Sequence, residues 1–321
     1  MEINKLTSRA ILTAVQQATN ILVIAHKKPD GDTLGSNLAF TKYLLSVGKK
    51  FTSFCLHPAP SHLAFLPNSH LISNDHLTFS QTFDLVILLD SSNLEYAGVD
   101  KLMTALRPGY KIINIDHHVS NTMFGDINLV IYEASSTAEV VYRLFKDWDI
   151  DWSAGIASCL ACGMITDTGG FKNPATNYIT LLAASDLKSK GANIHQITKQ
   201  ALGSTKLNNL RLWGRALERL RDVPHYNLIY TWLTEQDFTE CATDESAVDG
   251  LSNFLHIIKE GKIIMVLRQS KVDTIKGSLR TTSNIDLTKI AEIFGGGGHK
   301  KAAGFSLSGR LECNDGQLII K

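Results

Sequence analysis

The residues best suited to chemistry in this chain are acids and histidines that close apolar runs. Asp116, His117 and His118 sit at the end of KIINID, the segment HKKPDGD (26–32) follows ILVIA, Asp90 ends FDLVILLD, and Asp167 ends SCLACGMITD. Strands of a parallel sheet bring their carboxyl ends to one edge, where open α/β sheets bind ligands, so these groups are expected to converge on one crevice. His26, Asp30, Asp32, Asp90, His117 and Asp167 offer imidazole nitrogens and carboxylate oxygens but no thiolate. That donor set suits manganese, magnesium or iron better than structural zinc. Two divalent ions in such a site lie about 3.5–4 Å apart and share a bridging carboxylate, an arrangement used for in-line displacement at phosphorus. Asp90 is the expected bridge.

Each of these residues has a commoner role when it stands alone. An aspartate after a strand usually caps the next helix or makes an Asx turn, and a histidine there is usually a hydrogen-bonded turn residue. Their joint occurrence favours metal. Asp30 and Asp32 also flank Gly31, so that both carboxylates can face one side of a tight turn.

The elements that must carry these groups follow from the hydrophobic pattern. ILVIAH reads as a strand, DTLGSNLAFTKYLLSVG as a helix ended by Gly48, KFTSFCL as a strand and SHLAFLP as a short helix. FDLVILLD and KIINID are apolar throughout, like strands that parallel sheets bury on both faces. SSTAEVVYRLFKDW opens with Ser136 three positions before Glu139, a capping-box spacing. WSAGIASCLACGMIT is expected to be a buried helix that delivers Asp167. The alternation of strand and helix predicts a parallel sheet.

After about residue 170 the pattern changes. NYITLLAASDLKSKG, NIHQITKQAL and KLNNLRLWGRALERLR are successive helical stretches, read as the connection between domains. From Tyr226 the chain becomes α+β, with strands NLIYTWLT, KIIMVLRQS and TIKGSLRT and helices at SAVDGLSNFLHII and DLTKIAEIF. The expected architecture is a parallel-sheet α/β domain over residues 1–188, a helical linker over 189–224 and a smaller α+β domain over 225–321, with the active site in the cleft between the domains.

The balance of 32 basic and 31 acidic residues disfavours a protein that tracks long nucleic acid, since phosphate neutralisation carries most of that affinity. Short or single-nucleotide substrates fit better. The N-terminal segment reads as an amphipathic helix and no apolar run is long enough to span a bilayer, so a cytoplasmic location is expected. The five cysteines lie mostly in apolar runs, as buried reduced thiols do. Cys159 and Cys162 form a C-x-x-C with no second pair, which argues against zinc or redox chemistry there.

A second chemical signal is the glycine run 295–298, followed by His299 and Lys300. Glycine runs are usually linkers. This one follows an apolar helix and leads into AAGFSLSG, a strand pattern, so it belongs inside a domain. Backbone N–H groups of a glycine turn can form an anion-binding nest, and Arg280, ending GSLR, can supply a planar fork for a phosphate or a surface for a base.

The ordered set HKKPDGDTLGS, LLDSSN, DHH with SNTMFGDINLV, ASSTAE and TDTGGF resembles the DHH phosphoesterase superfamily, and GSLRTTSNIDLTKIAEIFGGGGHKKAAG resembles its associated C-terminal substrate domain. Within that superfamily the chain is most similar to the nano-RNase/pAp phosphatase branch. The resemblance implies that His26, Asp30 and Asp90 hold one manganese and that Asp32, Asp90, His117 and Asp167 hold the other. It makes Asp116 a partner that orients a ligand and His118 a donor or general acid facing the substrate phosphate. It sets Gly296, Gly297, Gly298 and His299 against a substrate phosphate, with Arg280 alongside. One departure concerns SSNLEYAG, where Glu95 and Tyr96 stand at a place that is basic in many relatives.

The implied activity is hydrolysis of short single-stranded RNA and removal of a phosphate from pAp, with two divalent ions, most naturally Mn(II), as cofactors. Hydrolysis of linear dinucleotides such as pApA is the same reaction and is not separable by sequence. A manganese inorganic pyrophosphatase shares the metal half of the pattern but carries a basic signature in place of GGGGH. A nucleotide-binding regulator without turnover usually lacks a metal ligand, and none is missing here. A homodimer through the helical linker is a further expectation.

Overall fold

A computed structural model describes residues 3–202, 206–248, 250–255, 258, 260–271, 273–314 and 317–321. The chain divides into two compact units, Met1–Ser204 and Thr205–Lys321.

The first unit contains α1 (Lys5–Gln17), β1 (Ile21–Ala25), α2 (Gly31–Ser46), β2 (Phe51–Cys55), β3 (Ile72–Ser73), β4 (Leu85–Leu89), α3 (Leu94–Ala97), β5 (Lys111–Asp116), β6 (Ile127–Val130), α4 (Thr137–Asp147), α5 (Ala154–Asp167), α6 (Tyr178–Ser189) and α7 (Ile194–Ala201). Its six strands form a parallel sheet in the order β3-β2-β1-β4-β5-β6. Every residue of β1 and β4 is buried, because alternate side chains feed two cores. Ile21, Val23, Leu85 and Ile87 pack with the helices α2, α4 and α5, while Leu22, Ile24, Val86 and Leu88 pack with Phe54, Phe79 and Val99. This is the fully buried parallel sheet that the apolar runs predict. The strand order runs outward in both directions from the β1/β4 pair, which is the switch point where such sheets open a crevice at their carboxyl ends.

Helices α2 and α5 bring their backbones together. A Cβ built on Gly35 would fall 2.4 Å from the Cys159 carbonyl oxygen, and one on Gly163 would fall 2.7 Å from Asp32 Oδ1. Small residues here allow the end of α5, with Asp167, to reach the start of α2, with Asp30 and Asp32.

Helix α4 is capped by Ser136, whose hydroxyl accepts the Glu139 N–H at 3.1 Å. The Glu139 carboxylate turns to Ser135, accepting from its N–H at 3.1 Å and its hydroxyl at 2.7 Å, rather than to the cap residue itself. It also accepts from Thr180 Oγ1 at 2.8 Å and pairs with Arg143, tying α4 to α6 through a fully buried acid. Glu139→Ala leaves these donors without their acceptor and is expected to cost about 3–5 kcal/mol, read from urea denaturation. A loss below about 1 kcal/mol would mean that water replaces the carboxylate.

The second unit contains α8 (Leu207–Glu218), β7 (Arg221–Val223), β8 (Leu228–Leu233), α9 (Glu235–Glu240), α10 (Leu251–Phe254), β9 (Ile263–Lys271), β10 (Thr274–Arg280), α11 (Thr288–Ile293), β11 (Gly297–His299), β12 (Ala302–Ser308), β13 (Leu311–Asn314) and β14 (Gln317–Ile320). A six-stranded mixed sheet has the order β11-β12-β10-β9-β8-β7, parallel only between β8 and β9, and β13 and β14 form a separate hairpin. One face packs Ile229, Ile264 and Val266 with Leu212 and Ala216 of α8; the other packs Trp232, Leu279 and Phe305 with Leu287 and Ala291.

Several local expectations differ from the structure. SHLAFLP forms only a three-residue 3-10 turn, Ser61–Leu63, bounded by Pro60 and Pro67. The helix expected over 246–258 appears as a turn at Glu245–Val248 and as α10, with Asp249, His256 and Ile257 outside the described residues. Among the described residues no helix is long and apolar enough to cross a membrane.

Candidate metal centre

The residues at the carboxyl edge of the first sheet meet as two donor sets that share one carboxylate. His26 follows β1, and its Nε2 lies 3.5 Å from Asp90 Oδ2 and 4.0 Å from Asp30 Oδ2. His117 follows β5, and its Nε2 lies 3.9 Å from Asp90 Oδ1, 3.9 Å from Asp32 Oδ2 and 3.7 Å from Asp167 Oδ2. Apart from the His26–Asp90 contact, at the outer limit of a hydrogen bond, these separations are too long for hydrogen bonds. They match the spacing of ligands around one ion, about 3–4 Å for bonds near 2.1 Å.

Each of these donor groups is aimed by its own local structure. Asp30 is the N-cap of α2: its Oδ1 accepts the N–H groups of Asp32 and Thr33, both at 3.0 Å, while Oδ2 faces His26. One oxygen of this carboxylate therefore caps the helix while the other stays free to face the histidine. Asp32 accepts the first N–H groups of α4, Thr137 at 2.7 Å and Ala138 at 2.8 Å, where the helix dipole favours a negative charge. Asp90 ends the β4 segment with φ at +61°, a conformation that non-glycine residues seldom adopt and that turns its carboxylate into the crevice. Thr33 Oγ1 donates to its Oδ2 and Thr137 Oγ1 to its Oδ1 at 2.9 Å. His117 Nδ1 lies 3.3 Å from the Ala134 carbonyl oxygen, which favours Nδ1–H and leaves the Nε2 lone pair on the side of the acids, open to a cation.

Asp116 and His118 form a connected pair behind and beside this cluster. The fully buried Asp116 accepts from His118 Nδ1 at 2.8 Å and from the His117 N–H at 2.8 Å through Oδ1, and from Asn121 Nδ2 at 2.6 Å through Oδ2. Asp90, Asp116, His117 and His118 also lie close enough together to form a donor group, but Asp116 Oδ1 is committed to the short bond with His118. Sequence reasoning did not single out Thr33, Thr137 or Asn121. Their signals were hydroxyl or amide side chains beside the acidic motifs.

The electrostatics are those of a cation site. Burial raises Asp30 and Asp32, and the charge on Asp90 raises them further. Burial also pushes Asp167 up to about 6, aided by Asp90 and Asp30 against the pull of His117. Asp90 goes the other way: burial alone would raise it, but the hydrogen bond and charge of His26, with His118 and His117, hold it well below the usual range. For His118, burial acts downward but the bond to Asp116 and the surrounding acids raise it to about 9. The ionic contacts of Asp30, Asp32, Asp90 and Asp167 among the described residues are to histidines. Nitrogen and oxygen donors, buried like charges and ligand-like spacing fit divalent cations.

Burial, together with that repulsion, has a measurable consequence at Asp167. Because the folded state raises the Asp167 carboxyl, ionised Asp167 costs stability above about pH 6. Asp167→Asn is therefore expected to raise the melting temperature of the metal-free protein at pH 8 by about 2–4 °C. The gain should vanish as pH falls toward the unfolded carboxylate value near ~4. Added Mn(II) should stabilise the wild type and much less the variant. Equal metal-free melting temperatures at pH 8 would show that ionised Asp167 carries no such cost.

The remaining candidates lie in the second unit. Arg280 ends β10 opposite Ala302 of β12, which in turn pairs with His299 of β11, so Arg280 and His299 share a row of the sheet. The His299 side chain is outside the described residues. Gly295, with φ at +69°, closes α11: its N–H bonds to Glu292 O and that of Gly296 to Ala291 O. Gly297 and Gly298 continue into the strand, so the run forms a helix end and an edge strand. Cys159 and Cys162 are buried free thiols on α5, and burial pushes Cys159 up to about 12, which suits packing rather than redox chemistry.

A parallel sheet with acids and histidines at its switch point, followed by a mixed-sheet unit, is the architecture of a known class. The chain belongs to the DHH family: the family's N-terminal domain matches residues 20–164 and the DHHA1 domain matches residues 226–316. It is 29% identical to the bifunctional oligoribonuclease and PAP phosphatase NrnA of Thermus thermophilus, over 90% of this chain and 84% of that protein. It is 25% identical to the Bacillus subtilis protein of the same name, over 92% of each. Its fold matches the crystal structure of an exopolyphosphatase-related protein from Bacteroides fragilis with a TM-score of 0.86 and 28% identity, covering 94% of this chain and 91% of that one.

Proposed function

We propose that this protein is a manganese-dependent phosphoesterase that hydrolyses short RNA oligonucleotides to mononucleotides and dephosphorylates pAp to AMP. The observation that carries this reading is the Asp90 carboxylate, with one oxygen 3.5 Å from His26 Nε2 and the other 3.9 Å from His117 Nε2. His26, Asp30 and Asp90 would hold one ion, and Asp32, Asp90, His117 and Asp167 the other. The absence of thiolate among them favours Mn(II) over structural zinc. When bound, such ions acidify water for attack at phosphorus and neutralise charge on the phosphoryl oxygens.

The chain's own groups do the rest. Thr33 and Thr137 keep both Asp90 oxygens aimed, and the first turn of α4 holds Asp32 in place. His118 Nδ1 donates to Asp116, and the raised His118 keeps a second proton on Nε2 for a phosphoryl or leaving-group oxygen. Arg280, Gly296, Gly297, Gly298 and His299 are the proposed contacts to a second part of the nucleotide, and the near-zero net charge suits short substrates. The buried reduced thiols suit a cytoplasmic setting.

The test is Mn(II)-dependent hydrolysis by the purified protein of pAp, RNA of two to five nucleotides, long RNA, pApA and pyrophosphate. Turnover of pAp and short RNA supports the proposal. Turnover of pyrophosphate alone overturns it, and turnover of none of them despite bound metal makes the protein a nucleotide-binding regulator.

A further inference from the structure

Tyr96 stands beside the metal-binding residues without contributing a ligand. It is the third residue of the four-residue helix α3, where the Asn93 cap accepts its N–H at 2.7 Å and Gly98, with φ at +75°, ends the turn. The backbone beneath the ring is thus fixed on both sides. The ring packs against His26, with centroids 5.1 Å apart and planes at 60°, and lies 6.1 Å from the ring of His118. It therefore joins a proposed ligand of one ion to the proposed phosphate donor, yet 43% of the residue remains exposed. The neighbouring Lys27 ammonium is bound 3.0 Å from the Glu95 carbonyl oxygen. At Tyr96 itself, the rim of the site offers an aromatic face and a neutral hydroxyl.

We propose that Tyr96 is a specificity-determining residue: its ring receives the nucleoside next to the scissile phosphate, and its neutrality favours singly charged phosphodiesters over doubly charged phosphomonoesters. The inference rests on the phosphoesterase reading. A diester brings two organic substituents and one negative charge, whereas a monoester brings one substituent and up to two charges. An open aromatic face rewards the added nucleoside, since base-aromatic stacking is sequence-tolerant. A cation at this position would instead reward the second charge.

The test compares Tyr96→Phe, Tyr96→Ala and Tyr96→Arg, with melting temperature and metal content as controls of folding. Binding of a 2-aminopurine-containing dinucleotide is followed by fluorescence without Mn(II), so that this readout is independent of turnover. Steady-state kinetics on pApA and pAp are measured with Mn(II). The alanine variant is expected to weaken dinucleotide binding and raise its KM by about 10-fold with kcat nearly unchanged, while phenylalanine retains both. The arginine variant is expected to shift the pAp-to-pApA ratio of kcat/KM toward pAp by about 10-fold. Wild-type dinucleotide affinity in Tyr96→Ala, or an unchanged ratio in Tyr96→Arg, overturns the proposal. If Tyr96→Ala does not fold, the phenylalanine and arginine variants decide through the ratio alone. Turnover that ignores Tyr96 sinks this inference and spares the phosphoesterase reading. Tyr96-dependent binding without any turnover does the reverse for the stacking role.

Discussion

Asp90→Ala is expected to abolish turnover of both pAp and short RNA, by at least about 10³-fold, and to remove bound Mn(II) from both donor sets. The size of the effect follows from geometry. Among the described residues, Asp90 is the one carboxylate whose two oxygens face different histidines, at 3.5 Å from His26 and 3.9 Å from His117. Its loss deprives each proposed ion of a ligand, whereas Asp30→Ala touches only the His26 set and should spare more of the metal at the His117 set. Asp90→Glu should not rescue activity. The residue is 2% exposed and held by Thr33 and Thr137, so an added methylene has no room and moves both oxygens. Metal content by atomic emission, alongside the initial rate at saturating Mn(II), checks this. An Asp90→Ala protein that kept wild-type metal stoichiometry and rate would show that Asp90 is not the shared ligand.

Much of this cluster was legible in the sequence because His26, Asp90, His117 and Asp167 follow apolar strands or end the apolar helix α5. A buried run followed by an acid marks both the strand and the edge at which its carboxyl end emerges, and a parallel sheet brings such ends together. The joint pattern separated His26, Asp90 and His117 from ordinary turn residues. What remained hidden depends on contacts between distant segments. Thr33 and Thr137 reach Asp90 from 57 and 47 residues away, and nothing local distinguishes their hydroxyls from helix-start residues. Gly163 looked like a small residue in an apolar helix until the backbone approach of α5 to Asp32 gave it a reason. Glu139 had the spacing of a capping box, yet Thr180 and Arg143 draw its carboxylate into a network that only the packing of α6 on α4 creates. The short strands β3, β6 and β13 carry too few residues for alternation to register. The glycine run looked like a nest, but two of its N–H groups are taken by carbonyls of α11, because the helix ends where the run begins.

His118→Asn is expected to leave metal binding intact while lowering kcat by about 10²–10⁴-fold, the range for loss of a positioned proton donor. His118 lies next to the proposed ligand His117 but is committed elsewhere: its Nδ1 is 2.8 Å from Asp116 Oδ1, and its side chain is 33% exposed. Asparagine can keep the bond to Asp116 and lacks the second nitrogen. The two variants therefore separate two roles, since Asp90→Ala loses metal and rate together and His118→Asn loses rate alone. The pH profile adds a sign. Burial opposes the charge on His118, but Asp116 and the nearby acids raise it to about 9, so the donating form exists below that value and is lost above it. Bound cations add positive charge and draw the transition downward. Wild-type kcat should accordingly fall on an alkaline limb at or below about pH 9, and that limb should be absent in His118→Asn. An alkaline limb of equal position in both proteins would assign it to another group and reduce His118 to a structural partner of Asp116.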